Sequence, residues 1–576
     1  MNNQQVAEIF DRMGDMLEIK GESIYRVLAY RKAAESIRSF GLAIQQVWEN
    51  GQLRQIPGVG EAIESKIDEL LKTGKLGYYE KLKAEIPESL VEVLRVGDVG
   101  PKKALRFWRE LGITSVEGLE AAARAGRLRD LPGMGTRSEA KILENIEALK
   151  KRQTDRILLG IAWPVARGLL ERLREITGVT AAEAVGSLRR WRETVGDVDL
   201  LVASHKPRDV MSAFVRFPEI ARVLGQGDTK GSVELANGLR VQLWVHPPER
   251  LGTALQYATG SQAHNVRLRE LAQDQGFSLS EHGFKRADGK EILCSEETKV
   301  YDTLGLPWIP PELREDRGEI QEARAGRLPN LVRLEDLVGE LHAHTNWSDG
   351  RHTLEDMARA ALASGLRYLV ITDHSRSLGV ANGLSIERLR EQSKVIDEVQ
   401  RSVKGIRLLR GAEVEILADG RLDYPDEVLA ELDLVCASLH TSLRQPREKV
   451  TARLLGAIEN PHVDMIGHPT GRLVGSRDAA DLDIDPILQA AAERGVALEV
   501  NASPDRLDLS DVHARRARDL GCLIAINTDA HRPEHFDLRI YGVGVARRAW
   551  LGPDQVVNTW PVDHLLAWLR GRGGGG

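Results

Sequence analysis

Cysteine is scarce in this chain: Cys294, Cys436 and Cys522 are the only three in 576 residues. They are odd in number and far apart, which excludes a disulfide framework and suits a reducing cytosol, so a cytoplasmic protein is expected. No apolar run approaches the roughly 20 residues that span a bilayer. The first residues, MNNQQVAEIFDRMG, mix acids into an amphipathic pattern and do not read as a secretion signal. An excess of positive charge is missing as well. The net charge of −6 neither points to nucleic acid nor excludes it, because a carboxylate-rich metal site can mask a basic face elsewhere. What remains is an ordinary globular composition, 42% hydrophobic and 28% charged, in a chain too long for one core.

Against that background, nine metal-ligand side chains stand out in the last two fifths. They are His342, His344 and Asp349 in ELHAHTNWSDG, His374 in ITDHS, Glu413 in RGAEVEI, His440 in ASLHTS, His468 in IGHPTGR, and Asp529 and His531 in NTDAHRP. A lone histidine in such a strand reads as a core residue. Nine ligands together exceed what one ion uses, so a cluster of two or three ions is expected. The histidines favour manganese or zinc over magnesium, and such a cluster suits hydrolysis of phosphate esters. Apolar strand runs alternate here with helical stretches, and the ligands fall at the strands' carboxyl ends, as in a β/α barrel. Asp373 and Glu415 could orient ligands. Arg472 and Arg506 are candidates for phosphate or DNA-backbone contacts, or else structural ion pairs.

The front of the chain is helix-rich and repeats one device three times: IPGVGEAIESKI, VGDVGPKKAL and LPGMGTRSEAKIL. Gly58 and Gly60, Gly97 and Gly100, and Gly133 and Gly135 each frame a tight turn that opens into a helix. The free N–H groups at the helix start then face a phosphate. This is a helix-hairpin-helix pattern, which grips DNA backbone without reading sequence. Lys66 follows the first hairpin and reads either as a Schiff-base nucleophile for an abasic sugar or as a phosphate-neutralising or solvated lysine.

In AVGSLRRWRETVGDVDLLVAS a strand passes through a Gly-Ser turn into a helix start, then returns through Gly196-Asp197-Val198-Asp199 into an apolar strand. Asp197 and Asp199 alternate with Val198 and share a face, which calls for Mg²⁺ or Mn²⁺ between them. Gly186, Ser187 and Arg190 are placed to hold the phosphates of a nucleoside triphosphate.

With these motifs in order, the chain resembles a bacterial family X DNA polymerase with a C-terminal polymerase-and-histidinol-phosphatase (PHP) domain. The resemblance implies a multidomain protein: an α-helical lyase-like DNA-binding domain at 1–80, helix-hairpin-helix fingers at 81–155, an α/β nucleotidyltransferase palm at 156–245 and a thumb at 246–315. A charged linker at 316–335 leads into a distorted seven-stranded β/α barrel, the PHP domain, at 336–572. It gives Lys66 the lyase-lysine position, although a helper lysine of the relatives is Ala62 here. Tyr257, Gly260 and their neighbours resemble the turn beneath the incoming sugar, with Ala258 where phenylalanine is usual. Asn265 and Arg269 match positions facing the minor groove. All nine metal ligands match.

One departure bears on function. The family's third catalytic aspartate falls on Gln242, in GLRVQLWV. An amide carries no charge and cannot accept the primer hydroxyl's proton, and losing a general base alone costs about 10²–10⁴-fold. Glu234 is the nearest acid. A two-residue Asn237-Gly238 turn would set Gln242 opposite Val233 and turn Glu234 to the other face. The expectation is therefore a DNA-repair enzyme that removes 3′ nucleotides or 3′ phosphates, or cuts at abasic sites, from gapped, nicked or 3′-ended DNA held without regard to sequence. Its polymerase site would bind dNTP weakly and be impaired. The alternatives are an active gap-filling polymerase with proofreading and a non-catalytic repair scaffold.

Overall fold

The structure, a computed structural model, describes residues 1, 3–39, 44–56, 58–94, 96, 99–151 and 156–573. They form two compact units: Met1–Arg156 with Val165–Glu183 and Gly196–Pro248, and Ile157–Pro164 with Ala184–Val195 and Glu249–Gly576. No helix among the described residues is long and apolar enough to cross a membrane.

In the first unit the front of the chain is all helical. Apolar residues spaced three and four apart put one face of Asn3–Lys20 (Val6, Phe10, Met13, Leu17) into a core shared with Val27, Ile67, Phe107, Leu119 and Ile142. Each fully buried side chain of this size contributes about 1.5–3 kcal/mol. The turns form where glycine was expected: Gly58 and Gly133 take φ of +83° and +76°. Gly60 and Gly100 cap the helices Glu61–Thr73 and Pro101–Leu111, and Gly135 precedes Thr136–Lys151. A Cβ at Gly60, Gly100 or Gly135 would meet open space, so each helix start is accessible. Gly97 lies outside the described residues.

The same unit holds a five-stranded sheet of β1 (Val179–Ala184), β2 (Val198–Ser204), β3 (Ile220–Gln226), β4 (Lys230–Leu235) and β5 (Arg240–His246), ordered β1-β2-β5-β4-β3. Strand β2 runs parallel to β5 with Asp199 in register with Gln242. The β4–β5 register differs from the expectation. Gln242 pairs with Ser232, and Val233 pairs with Val241. The turn is one residue longer, because Leu235 N–H bonds the Leu239 carbonyl and leaves Ala236, Asn237 and Gly238 outside the ladder, with Gly238 at φ +83°. One extra loop residue moves Glu234 onto the same face as Gln242, opposite Arg240.

The second unit begins its long segment with a thumb, whose helices and three-stranded antiparallel sheet pack around Leu268, Phe284, Val300 and Tyr301. Residues 316–335, expected as a charged linker, carry structure of their own. They include the helix Glu319–Arg324, and the buried Glu319 carboxylate lies 2.7 Å from His264 Nδ1 in the thumb core. Beyond it lies the expected barrel: β6 (Gly339–Glu340), β7 (Tyr368–Ile371), β8 (Arg407–Glu415), β9 (Leu434–Ser438), β10 (Met465–Gly467), β11 (Ala497–Asn501) and β12 (Ile524–Asn527), all parallel and in sequence order. A parallel bridge between Ala343 and Ala530 joins the first strand's end to the last's. Every residue of β7, β9, β10, β11 and β12 is buried, which is why these strands read as predominantly apolar runs.

Candidate metal centre

All nine expected ligands converge at the carboxyl end of the barrel. Glu413, near the end of β8, is the hub: its oxygens lie 2.9 Å from His374 Nδ1, 3.2 Å from His440 Nε2, 2.9 Å from His468 Nε2 and 3.4–3.5 Å from the Nε2 atoms of His342 and His344. Asp529 stands 3.1 Å from His344 Nε2 and 3.6 Å from His342 Nε2. Asp349 reaches His374 at 3.5 Å and His531 at 3.4 Å. The donor atoms fall into three groups, each within 4.8 Å: His344, Asp349, His374 and His531; His342, His344 and Asp529; and His374, Glu413 and His440. His468 belongs to none of the three and touches the cluster through Glu413.

The donors fit a cluster of divalent cations. His342 Nε2, both ring nitrogens of His344, His374 Nδ1, His468 Nδ1 and Glu413 Oε2 are buried without a hydrogen-bond partner. So many unsatisfied buried donors are costly unless something binds them. Charge points the same way. The carboxyls of Glu413 and Asp529 are held well below the usual range by the surrounding imidazoles, in spite of burial. Burial alone would lower the histidines, yet Glu413 and its neighbours lift His374 to about 10 and His440 to about 9. His344 goes the other way, held down to about 4 by burial and by the charges of His531 and His374. Two ligands, His468 and Asp529, sit at φ of +28° and +53°, a backbone strain the packing around the site sustains.

Outer contacts aim the ligands. Glu415 takes both the N–H and Nδ1 of His440, the latter at 2.8 Å, as expected of an orienting carboxylate. Asp373 instead holds the loop before Asp349, accepting from Thr345 and Ser348. The sequence reading missed Glu499 and Asn501 on β11. Glu499, fully buried, lies 2.7 Å from His342 Nδ1 and accepts the His468 N–H at 2.6 Å, and Asn501 Nδ2 donates to Asp529 Oδ2 at 3.2 Å. The only sequence signal was a charged residue inside an apolar strand, VALEVN. Arg506 stands 3.6 Å from Asp529 with its side chain 19% exposed, at the rim of the cluster. Arg472 resolves into the ion-pair alternative. It bonds Glu193 at 2.7 Å and the Leu507 carbonyl.

The expected nucleotidyl-transfer residues are placed in part. In the first unit Gln242 Nε2 donates to Asp197 Oδ2 at 3.1 Å, beside Asp199. Glu234, although on that face, is spent on Arg222 at 2.9 Å. In the second unit Gly186 and Ser187 open the short helix Gly186–Arg189, while Arg190 pairs with Glu315 at 3.0 Å and bonds the Thr259 carbonyl. A Cβ at Gly260 would stand 3.1 Å from that guanidinium. Asn265 donates to the Tyr257 carbonyl at 2.8 Å and accepts from Gln256, and Arg269 Nε bonds the Asn265 carbonyl at 3.3 Å. Gly196 is exposed just ahead of Asp197. Lys66 lies partly buried, 5.5 Å from the Tyr78 ring and 6.0 Å from that of Tyr30. Burial, with the charge of Arg26, lowers its pKa.

Comparison with known proteins matches these parts in order. The chain matches a helix-hairpin-helix domain over residues 1–76, a SAM-like helix-hairpin-helix tandem over 90–148, a DNA polymerase beta thumb over 254–315 and a PHP domain over 340–503. It is 37% identical to the DNA polymerase/3′-5′ exonuclease PolX of Bacillus subtilis (strain 168), over 99% of this chain and 100% of that protein. A probable phosphatase of Thermoanaerobacter sp. (strain X514) is 33% identical over 41% of this chain and 95% of its own length. DNA polymerase lambda of Arabidopsis thaliana is 27% identical over 54% of this chain and 62% of its own.

Proposed function

Because the chain belongs to the PolX-type family X DNA polymerases with a C-terminal PHP domain, we propose that it is a DNA-repair enzyme whose principal activity is metal-dependent removal of nucleotides from DNA 3′ ends. One contrast carries this reading. In the barrel eight of the nine expected ligands fall into three candidate metal groups and His468 adjoins them through Glu413, while the palm has an amide where its third carboxylate would stand. The histidine-rich donor set favours manganese or zinc, in two or three ions, and the palm pair Asp197 and Asp199 would take Mg²⁺ or Mn²⁺ with less charge to hold it. Bound ions would supply positive charge for the phosphate oxygens and leaving group and lower the pKa of a water molecule. The chain's own part is to hold that geometry. Glu499 and Glu415 fix the His342 and His440 rings, Asp373 fixes the Asp349 loop, and Arg506 offers a guanidinium to the phosphate at the rim. The helix starts after Gly60, Gly100 and Gly135 hold the DNA backbone, in the cytoplasm. Removal of 3′ phosphates and cutting at abasic sites are the same chemistry on neighbouring substrates, and Lys66, beside two stacked tyrosine rings and with its pKa lowered, serves as a lyase nucleophile.

The test is a 5′-labelled primer on a gapped template, incubated with Mn²⁺ with and without dNTPs. Shortening in both lanes, abolished by His344→Ala, is the expected result. Lengthening with dNTPs would instead establish a gap-filling polymerase with proofreading, the second reading, which the full-length similarity to a protein bearing both activities in its name supports.

A further inference from the structure

Trp347 lies between the ligands His344 and Asp349, in a loop fastened on every side. Its N–H bonds Thr345 Oγ1 at 3.2 Å, and Asp373 anchors Thr345 and Ser348 on either side of it. Its carbonyl accepts from Asn382 Nδ2 at 3.0 Å and from Arg388. The indole itself stays half-buried, with the Arg388 guanidinium 6.0 Å from the ring centre. Asn382 and Arg388 belong to the stretch that follows β7 and its ligand His374, so two ligand-bearing strand ends are stitched together at Trp347. That second stretch is rigid as well. Leu384 N–H bonds the His374 carbonyl at 2.8 Å, Ser377 N–H bonds Asp423 at 2.7 Å, and Tyr424 Oη bonds the Leu384 carbonyl at 2.6 Å. At its tip Val380 is 95% exposed.

A held loop that leaves an indole half-buried between two expected ligands, joined to a neighbouring stretch with a bare isopropyl group at its tip, gains little from core packing. It has the properties of a stacking platform: a flat apolar surface whose ordering is already complete before a ligand arrives. Arg388, whose guanidinium bonds main-chain carbonyls and, among the described residues, no carboxylate, adds positive charge beside the indole, whereas Arg376 is paired with Asp423 at 3.3 Å. We infer that Trp347, with Val380 on the stitched neighbouring loop, receives the terminal nucleobase of a DNA strand while its phosphodiester lies at the metal cluster, and so sets the preference for ends that carry a base. The inference rests on the proposed action at DNA 3′ ends.

Two measurements on the full-length protein test it. In EDTA, where no hydrolysis intervenes, a strand ending in 2-aminopurine is expected to lose fluorescence on binding the wild type and to keep it on binding Trp347→Ala. With Mn²⁺, kcat/KM is compared for a strand ending in an ordinary nucleotide and one ending in a base-free tetrahydrofuran unit. Trp347→Ala should lower the first ~10-fold and the second less than about twofold, Trp347→Phe should retain most of the first, and Val380→Ser, at an exposed tip, should lower it about twofold. Equal losses on both strands would overturn the inference and make Trp347 a prop for the Asp349 loop. No loss on either strand would also overturn it. If the wild type cuts neither strand, the 3′-end activity itself falls, and the 2-aminopurine signal still decides whether the indole takes a base.

Discussion

The side-chain amide of Gln242 donates a 3.1 Å hydrogen bond to the carboxylate of Asp197, a bond that an ionised aspartate at 242 could not form. The amide thus settles the palm without a cation, where three clustered carboxylates would repel one another.

Gln242→Asp should therefore reverse two properties together. Primer extension is expected to rise by about 10²–10⁴-fold, the range for restoring a general base. Thermal stability without divalent ions is expected to fall, and to recover when Mg²⁺ or Mn²⁺ is added. Gel-based extension assays and melting curves with and without EDTA read both. Unchanged extension would show that position 242 is not what limits the polymerase site.

Glu499→Gln should weaken metal binding about 10–100-fold, because the ring of His342 and the main chain of His468 lose their carboxylate anchor. Calorimetric titration of the stripped protein with Mn²⁺ measures this directly. The far-ultraviolet spectrum should not change. Wild-type affinity in the variant would reduce Glu499 to a packing residue.

Glu193→Gln removes the partner of Arg472 from an ion pair in which Glu193 is 39% exposed. Its stability cost should stay below about 1 kcal/mol, as for other exposed pairs. Arg472→Ala also strips the Leu507 carbonyl of a donor and should cost about 1–2 kcal/mol more. Both variants should keep nuclease kcat/KM within about twofold. A tenfold drop in KM-limited cleavage with Arg472→Ala alone would give that arginine the phosphate contact that the ion pair argues against.

Lys66 has its pKa lowered by burial and by Arg26, so more of it is the free amine at neutral pH than for a solvated lysine. Borohydride should trap a covalent adduct with a 5′-incised abasic strand, and trapping should persist to lower pH than for an exposed lysine. Lys66→Ala should abolish it. Trapping that survives the substitution would assign the chemistry to another amine.

The nine ligands were legible because each sits in a short polar break after an apolar strand, and because ligand chemistry restricts residue type as well as position. Glu499 and Asn501 were not, since a single acid or amide inside VALEVN differs little from a pairing residue until burial and neighbours are known. The β4–β5 register failed on one residue. Asn237-Gly238 looks like a two-residue turn, but Ala236 joins the loop, and period-two alternation turns that single step into a change of face for Glu234. Residues 316–335 read as a charged linker; within them Glu319 is buried against His264. Composition reports how polar a segment is, and partners decide whether it is solvated.

Gly544 has no side chain where the ring of Trp191 lies: a Cβ there would come within 2.8 Å of the indole. Pro504 similarly occupies the space of a Cβ at Gly160, and Arg548 donates to the Arg190 carbonyl at 2.7 Å. The barrel therefore packs around two short pieces of chain that lie more than 300 residues before the barrel residues they touch. The modular border in sequence is not a mechanical border. A barrel cut free at 316–335 would carry an apolar scar where Trp191 had been, and grafting it onto another protein would require that scar to be re-dressed.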